Sequence, residues 1–136
     1  MAARGVVLLF DENVPRRLAR ALREELGESA YHVRDVLPPG APDEAVFRYA
    51  GERGWCVLGS DRKVLRTPHE RAVIGDLGVG AFFLNDTVQG FCTIVRTVVR
   101  HWPELKRLAV QEPRPFLYLV KEKSVTRMRR RHLGSP

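Results

Sequence analysis

The chain has 136 residues, of which 44% are hydrophobic, a size that suits one compact domain better than two marginal ones. The apolar run at 6–10 is too short to cross a bilayer and no signal-peptide core is found, so the sequence predicts a cytoplasmic protein with no membrane partner. Cys56 and Cys92 both lie in apolar segments and are predicted to be buried, reduced thiols.

The formal charge of +7 is concentrated in the last third of the chain. Residues 1–95 carry 12 Lys/Arg against 13 Asp/Glu, a net of −1, whereas residues 96–136 carry 11 against 3, a net of +8. Such an excess indicates a polyanionic partner, and nucleic acid is favoured over a membrane because no basic amphipathic helix with bulky apolar anchors accompanies it. A solvated basic tail is the alternative.

The hydrophobic pattern predicts strands that alternate with helices. In the first half of the chain we predict a strand at 6–10, a helix capped by Asn13 and ended by Gly27, a strand at 30–33, a helix within 42–54 that ends in glycine, and a strand at 55–60. In the second half we predict a short helix at 68–77, a strand at 80–85, a helix at 87–102, a strand at 115–120 and a basic tail. Pro103 either ends the helix at 87–102 or begins a second helix. This order predicts an α/β domain with a mainly parallel sheet of four to five strands at 1–120, and a tail at 121–136.

Carboxylates follow several of the predicted strands. Asp11, Asp35, Asp61 and Asp86 each come after a strand, and parallel strands bring such positions to one edge of the sheet. Asp43 and Glu44, in the first turn of a helix, should face the same edge. Acidic side chains gathered in a cleft repel one another unless a cation lies between them, so the pattern predicts a site for Mg²⁺ or Mn²⁺.

Individual acids also have simpler explanations. Helix-dipole and capping effects alone favour acids at 43 and 44. An N-cap role before Thr87 would explain Asp86, and Asp35 suits a loop. Asp11 and Asp61 have no adjacent capping role and are the strongest candidates. The four histidines form no HxH or HxxxH pair, so a zinc site is not expected.

The segments "LLFDENVPRRLARALR", "HVRDV", "GAPDEAVFRYAGERGW" and "VLGSDRKVLRTP" resemble the PIN-like nuclease families, closest to the VapC-type toxins. The similarity spans nearly the whole chain, about 6–120, and depends on the order and spacing of these segments. The resemblance implies a three-layer α/β/α fold, a carboxylate pocket for Mg²⁺ or Mn²⁺, cleavage of single-stranded RNA, and inhibition by a cognate antitoxin.

Carried over by residue, the resemblance assigns Asp11 and Asp61 to the metal pocket and Asp43 or Glu44 to the acid that opens the intervening helix. The chain departs from many PIN nucleases because Arg62 and Lys63 stand where a further acid often follows. Asp86 would then supply a fourth carboxylate. With Arg66, these two cations are predicted to bind the RNA backbone, although a solvated basic loop explains them equally well.

Two other functions stay open at this point. A catalytically inactive PIN-like module could bind nucleic acid through its basic third alone. A phosphoacceptor receiver domain would use Asp61 as the acceptor and Lys121 after the last strand, but Thr87 falls one position late for it. The sequence does not decide whether the chain is a monomer or a homodimer.

Overall fold

The computed structural model describes residues 6–60 and 67–128. The strands in these ranges are β1 (Leu8–Phe10), β2 (Ala30–His32), β3 (Cys56–Gly59), β4 (Gly80–Leu84), β5 (Phe116–Val120) and β6 (Val125–Arg127). The helices are α1 (Arg16–Leu26), α2 (Val33–Val36), α3 (Asp43–Arg53), α4 (Pro68–Leu77) and α5 (Phe91–Gln111).

The strands form one sheet in the order β2-β1-β3-β4-β5-β6. All pairs from β2 to β5 are parallel, and β6 pairs antiparallel with β5. The predicted α/β class with a mainly parallel sheet is therefore confirmed, but the predicted count of four to five strands is too low. The missed strand lies within the segment that was assigned to the basic tail, where Val125 is the only apolar residue of the three.

Strand residues alternate between two cores, one on each face of the sheet. In β1, Leu8 and Phe10 pack on the same face as α1 and α5, whereas Leu9 packs on the face of α3 and α4. Every residue of β1, β3 and β4 is buried. Because helices cover both faces, the strands are continuously apolar rather than alternating, which explains the opening run of the chain. The resulting layers are helix, sheet and helix.

The end of α1 follows the predicted local signal, whereas the course of the long helix α5 does not. Gly27 ends α1 in the left-handed conformation with φ of 69°, a conformation that glycine adopts without a Cβ clash. By contrast, α5 is a single helix with Pro103 inside it, so the prediction that a helix ends or restarts there was wrong. The neighbouring Trp102 and Leu105 are both buried, and this packing outweighs the hydrogen bond that proline cannot donate.

The first turns of α5 are less buried than the sequence predicted. Phe91 is 45% exposed and Val99 is 48% exposed. Cys92 is exposed, so the prediction of a buried thiol was wrong for this residue, whereas Cys56 is buried and both cysteines are free thiols. Burial raises the pKa of the Cys56 thiol to about 11. Among the described residues no helix has the length and apolar character that a membrane span requires.

The second strand leads directly into the short helix α2 through a reciprocal cap. His32 is 3% exposed, and its Nδ1 accepts a hydrogen bond of 3.0 Å from the Arg34 N–H. The Asp35 carboxylate in turn accepts one of 2.9 Å from the His32 N–H. Asp35 also pairs with Arg16 of α1 at 2.6 Å. The ion pair therefore joins the capped end of β2 to the start of α1.

This cap predicts a loss of stability on mild acidification. Burial lowers the pKa of His32 below its ordinary value, although a hydrogen bond to the Val14 backbone opposes the shift. The unfolded chain therefore takes up this proton first as the pH falls. The stability due to neutral His32 is complete above about pH 6.5 and declines as the pH falls towards the lower folded pKa.

When the pH is lowered from about 7.5 to about 5.5, we expect the urea concentration at the unfolding midpoint to fall. It should fall less in His32→Asn, because the amide can cap α2 without titrating in that range. Urea unfolding followed by circular dichroism measures both. An equal fall in the two proteins would contradict this role for His32.

Candidate functional site

The strand order reverses between β1 and β3, which makes this position the topological switch point of the sheet. The chain leaves β1 towards α1 on one face of the sheet and leaves β3 towards α4 on the other. In doubly wound sheets, ligands bind at the carboxyl ends of the strands beside such a point. Asp11 directly follows β1, and Ser60 directly follows β3, so both residues lie at this edge.

The Asp11 carboxylate is oriented by backbone amides from both strand ends. Its Oδ1 accepts a hydrogen bond of 2.9 Å from the Asn13 N–H, and its Oδ2 accepts one of 3.2 Å from the Ser60 N–H. The Asp11 N–H donates a hydrogen bond of 3.0 Å to the Leu58 carbonyl. This bond extends the backbone hydrogen-bonding between β1 and β3 by one residue. The side chain is thus fixed across the gap between the two strands. A carboxylate held in one orientation suits a hard cation such as Mg²⁺.

The structural role of Asn13 differs from the predicted one. It was expected to cap α1 with its side chain, but the helix begins after Pro15 and has no side-chain cap. Instead, the Asn13 backbone N–H bonds to Asp11, two residues earlier, and this local turn directs the chain away from the sheet.

Gly59 allows the Asp11 carboxylate to approach the last residue of β3. A Cβ at this position would lie 2.5 Å from Asp11 Oδ2 and 2.8 Å from Phe83 Cε1. No side chain therefore fits between the carboxylate and the strand. The carboxylate occupies the space that a side chain at position 59 would fill. Glycine in a strand is expected where another group must lie close to the backbone.

Glu12 connects the end of β1 to the loop before α3. Its carboxylate accepts a hydrogen bond of 3.2 Å from the Gly40 N–H and lies 3.6 Å from an Arg34 guanidinium nitrogen. This loop leads to Asp43, the first residue of α3, which is half-buried and engaged in a contact. The N-terminal end of α3 thus lies at the same edge of the sheet as Asp11.

Two of the predicted acids are engaged elsewhere. Glu44 forms an i,i+4 ion pair of 2.8 Å with Arg48 on the outer surface of α3, and its side chain is 54% exposed. Asp35 forms the cap and the ion pair with Arg16 described above. Burial of Asp35 opposes ionisation, but the His32 N–H and Arg16 outweigh it and lower the pKa of this carboxyl. These contacts favour a structural role for Asp35 over a role in the metal pocket.

Asp86 follows β4 and lies beside the end of β3. A cavity of about 340 Å³ opens at this point, and it is lined by Asn13, Ser60, Asn85, Asp86, Val88, Gln89, Gly90 and Ile94. The Asn85 amide donates to the Thr87 hydroxyl at 2.9 Å, and the Gln89 amide donates to the Asp86 carbonyl at 2.8 Å. The structure therefore brings Asp86 into the neighbourhood of Ser60, as the sequence predicted for a strand-end acid.

The other predicted residues of the site lie outside the described residues. These are Asp61, Arg62, Lys63 and Arg66. In the ranges 6–60 and 67–128, no three acidic, histidine or cysteine side chains are grouped closely enough to hold a metal ion. The predicted metal set of Asp11, Asp43 and Asp61 includes one residue beyond these ranges, so it stays a prediction.

Sequence reasoning missed the backbone contribution to the site. The Ser60 N–H and the glycine before it decide where the Asp11 side chain lies, and neither carries a functional group that a motif search would select. The glycine at a strand end was the one available signal, because glycine in a strand often marks close approach of another group.

Gly59→Ala should lower the free energy of unfolding by about 1–3 kcal/mol, because the added methyl group has to displace either the Asp11 carboxylate or the Phe83 ring. Urea unfolding measures this loss. Ser60→Ala is the matched control, since it keeps the backbone N–H that bonds to Asp11. Gly59→Ala with the stability of the wild type would show that the carboxylate is not confined there.

Comparisons with known proteins identify one family. The sequence profile of a family described as PIN-like domain matches residues 6–86, which cover β1 to β4 and the three strand-end residues Asp11, Ser60 and Asp86. No curated protein and no solved structure matches the chain.

Proposed function

The chain belongs to the PIN-like domain family, and from this premise we propose that it is a metal-dependent endoribonuclease of single-stranded RNA, acting as the toxin of a toxin–antitoxin pair. The observation that carries the proposal is the Asp11 carboxylate, held between the ends of β1 and β3 by the N–H groups of Asn13 and Ser60. Ser60 directly precedes Asp61, so the backbone contact supports a site shared by these two acids.

Asp11, Asp61 and Asp43 would hold Mg²⁺ or Mn²⁺, with Glu44 as the alternative to Asp43 from the same turn. When bound, the ion would activate water and neutralise charge on the scissile phosphate. Asp11 supplies an oxygen ligand whose position is already fixed, so little ordering is needed on binding. The support for Asp43 is the Glu12 contact to the loop before α3.

Arg62, Lys63 and Arg66 follow the proposed ligand Asp61 and would bind phosphates on either side of the cleaved bond. Cationic side chains close to a transferring phosphoryl group stabilise the charge that it develops. A cognate antitoxin would keep such an activity in check in the cytoplasm, where RNA is the available substrate.

A phosphoacceptor receiver domain is the second candidate, because the order β2-β1-β3-β4-β5 is also that of flavodoxin-like proteins. Lys121 follows β5, where such a domain carries its lysine. However, the residue after β4 is Asn85, whose amide bonds to Thr87, and Thr87 is directed into this local contact. Family membership favours the nuclease.

Asp11→Asn should reduce RNA cleavage by about a hundredfold or more, since even residues that only orient metal ligands contribute about 10- to 100-fold. The amide keeps an oxygen acceptor but removes the charge. Cleavage of a labelled single-stranded RNA in Mg²⁺ or Mn²⁺ measures the effect, and induction in growing cells reports toxicity. Chelation of the metal should abolish cleavage by the wild type.

Asp76→Asn is the matched control, because it makes the same chemical change on the exposed C-terminal part of α4, away from the carboxyl edge of the sheet. Equal cleavage by Asp11→Asn and Asp76→Asn would refute the proposal. RNA binding without cleavage by the wild type would favour the inactive binding module instead.

A further inference from the structure

A groove with an excess of positive charge runs beside the candidate site. It has a volume of about 490 Å³ and lies between α5 and the turn that joins β5 to β6; we call it the α5 groove. Its lining is Val95, Arg96, Thr97, Val99, Arg100, Glu122 and Lys123. Ile94, the residue before Val95, lines the cavity that contains Asp86. The two depressions therefore lie along consecutive residues of α5.

Backbone contacts hold the turn against the helix. The Arg100 guanidinium donates to the Glu122 carbonyl at 3.2 Å. His101 Nε2 lies 2.9 Å from the Lys121 carbonyl and 3.1 Å from the Glu122 carbonyl, and both carbonyls can only accept. Because β5 is parallel to β1 and β3, the turn after β5 lies at the same edge of the sheet as Asp11. The groove is thus a fixed part of this edge.

The cations of the groove are not neutralised by neighbouring acids. Arg96, Arg100 and Lys123 are exposed, and within the described part of the chain none of the three forms an ion pair with a carboxylate. Other described cations do so, as Lys106 does with Glu28 at 3.0 Å.

The arrangement on α5 is unfavourable for the free protein. Arg96 and Arg100 are four residues apart on one helix, and like charges at this spacing destabilise a helix. Among the described residues that line the groove, Glu122 is the only carboxylate, and it faces the three cations of Arg96, Arg100 and Lys123. An anion bound in the groove would offset this repulsion.

An exposed aromatic ring begins the same helix, next to the cavity that contains Asp86. Phe91 begins α5 and is 45% exposed, and the Arg17 guanidinium lies 4.5 Å from the centre of its ring. Gly90, the residue before it, lines the cavity that contains Asp86. Exposed aromatic rings beside basic grooves are the usual elements of single-strand recognition, since bases stack on the ring while cations follow the phosphates.

From these observations we infer that the α5 groove binds the single-stranded RNA on one side of the cleaved bond, with a base against Phe91 and phosphates beside Arg96, Arg100 and Lys123. The choice of RNA over an acidic protein rests on the proposed ribonuclease function and on the ring of Phe91, which an acidic peptide does not require. The groove adds cations to those predicted to bind RNA at 62, 63 and 66.

The test measures binding of a fluorescent oligouridine to the full chain carrying Asp11→Asn, so that cleavage does not interfere. Adding Arg96→Gln and Arg100→Gln should weaken binding about 25-fold at about 0.1 M salt. Two lost phosphate contacts lower the slope of log affinity against log salt by about 1.4 for a single strand.

Lys106→Gln with Arg107→Gln is the matched control, because it removes the same charge from the same helix outside the groove. Equal affinities and slopes for the two double variants would overturn the inference. Tighter binding of an oligoglutamate than of the oligouridine, with the same dependence on Arg96 and Arg100, would overturn it in favour of an acidic protein partner.

The outcome is separable from that of the proposed function. Cleavage by the wild type with no effect of the groove substitutions would refute the groove alone. Loss of RNA binding in the groove variant, with no cleavage by the wild type, would refute the nuclease and support the groove.

Phe91→Leu should weaken oligouridine binding about fivefold or more while leaving the salt slope unchanged, because it removes a stacking surface and no charge. Val110→Ala is the control, since Val110 is 59% exposed on the same helix but does not line the groove. An unchanged affinity for Phe91→Leu would remove the ring from the binding surface.

Discussion

The bond from the Ser60 N–H to the Asp11 carboxylate is the contact on which the candidate site depends. It joins the ends of β1 and β3, after which the chain crosses to opposite faces of the sheet. The bond can form only because Gly59 has no side chain to fill the gap. The chemistry proposed for this edge therefore follows from a backbone requirement. The carboxylate is positioned by the fold itself, before any ligand is bound.

The remaining parts of the edge are arranged around that contact. Glu12 ties the loop before α3 to the end of β1, and Asp86 lies with Ser60 at the cavity after β4. Two of the other predicted acids have clear structural partners, Glu44 in Arg48 and Asp35 in Arg16. Among the predicted acids that the structure describes, Asp11 and Asp86 lie at this edge, whereas Glu44 and Asp35 take part in helix contacts. The uncompensated cations of α5 lie next to the first group.

Much of the fold could be predicted because local signals and burial agree. The apolar strands, Gly27 at the end of α1, and Pro68 at the start of α4 are all found where the pattern placed them. The continuation of α5 through Pro103 could not be predicted, since tertiary packing of Trp102 and Leu105 overrides a local rule. The site was predictable only as a set of strand-end acids. Which of them meet depends on strand order and on backbone hydrogen bonds, and neither is visible in the residue types.

The two outer strands of the sheet are both short. β2 and β6 have three residues each, and β6 carries Arg127 beside exposed Thr126. A short edge strand offers few backbone groups to a strand from another molecule, which protects a sheet against uncontrolled addition of chains. Addition of a strand from another molecule is therefore disfavoured along β2 and β6, the outer strands of the described sheet.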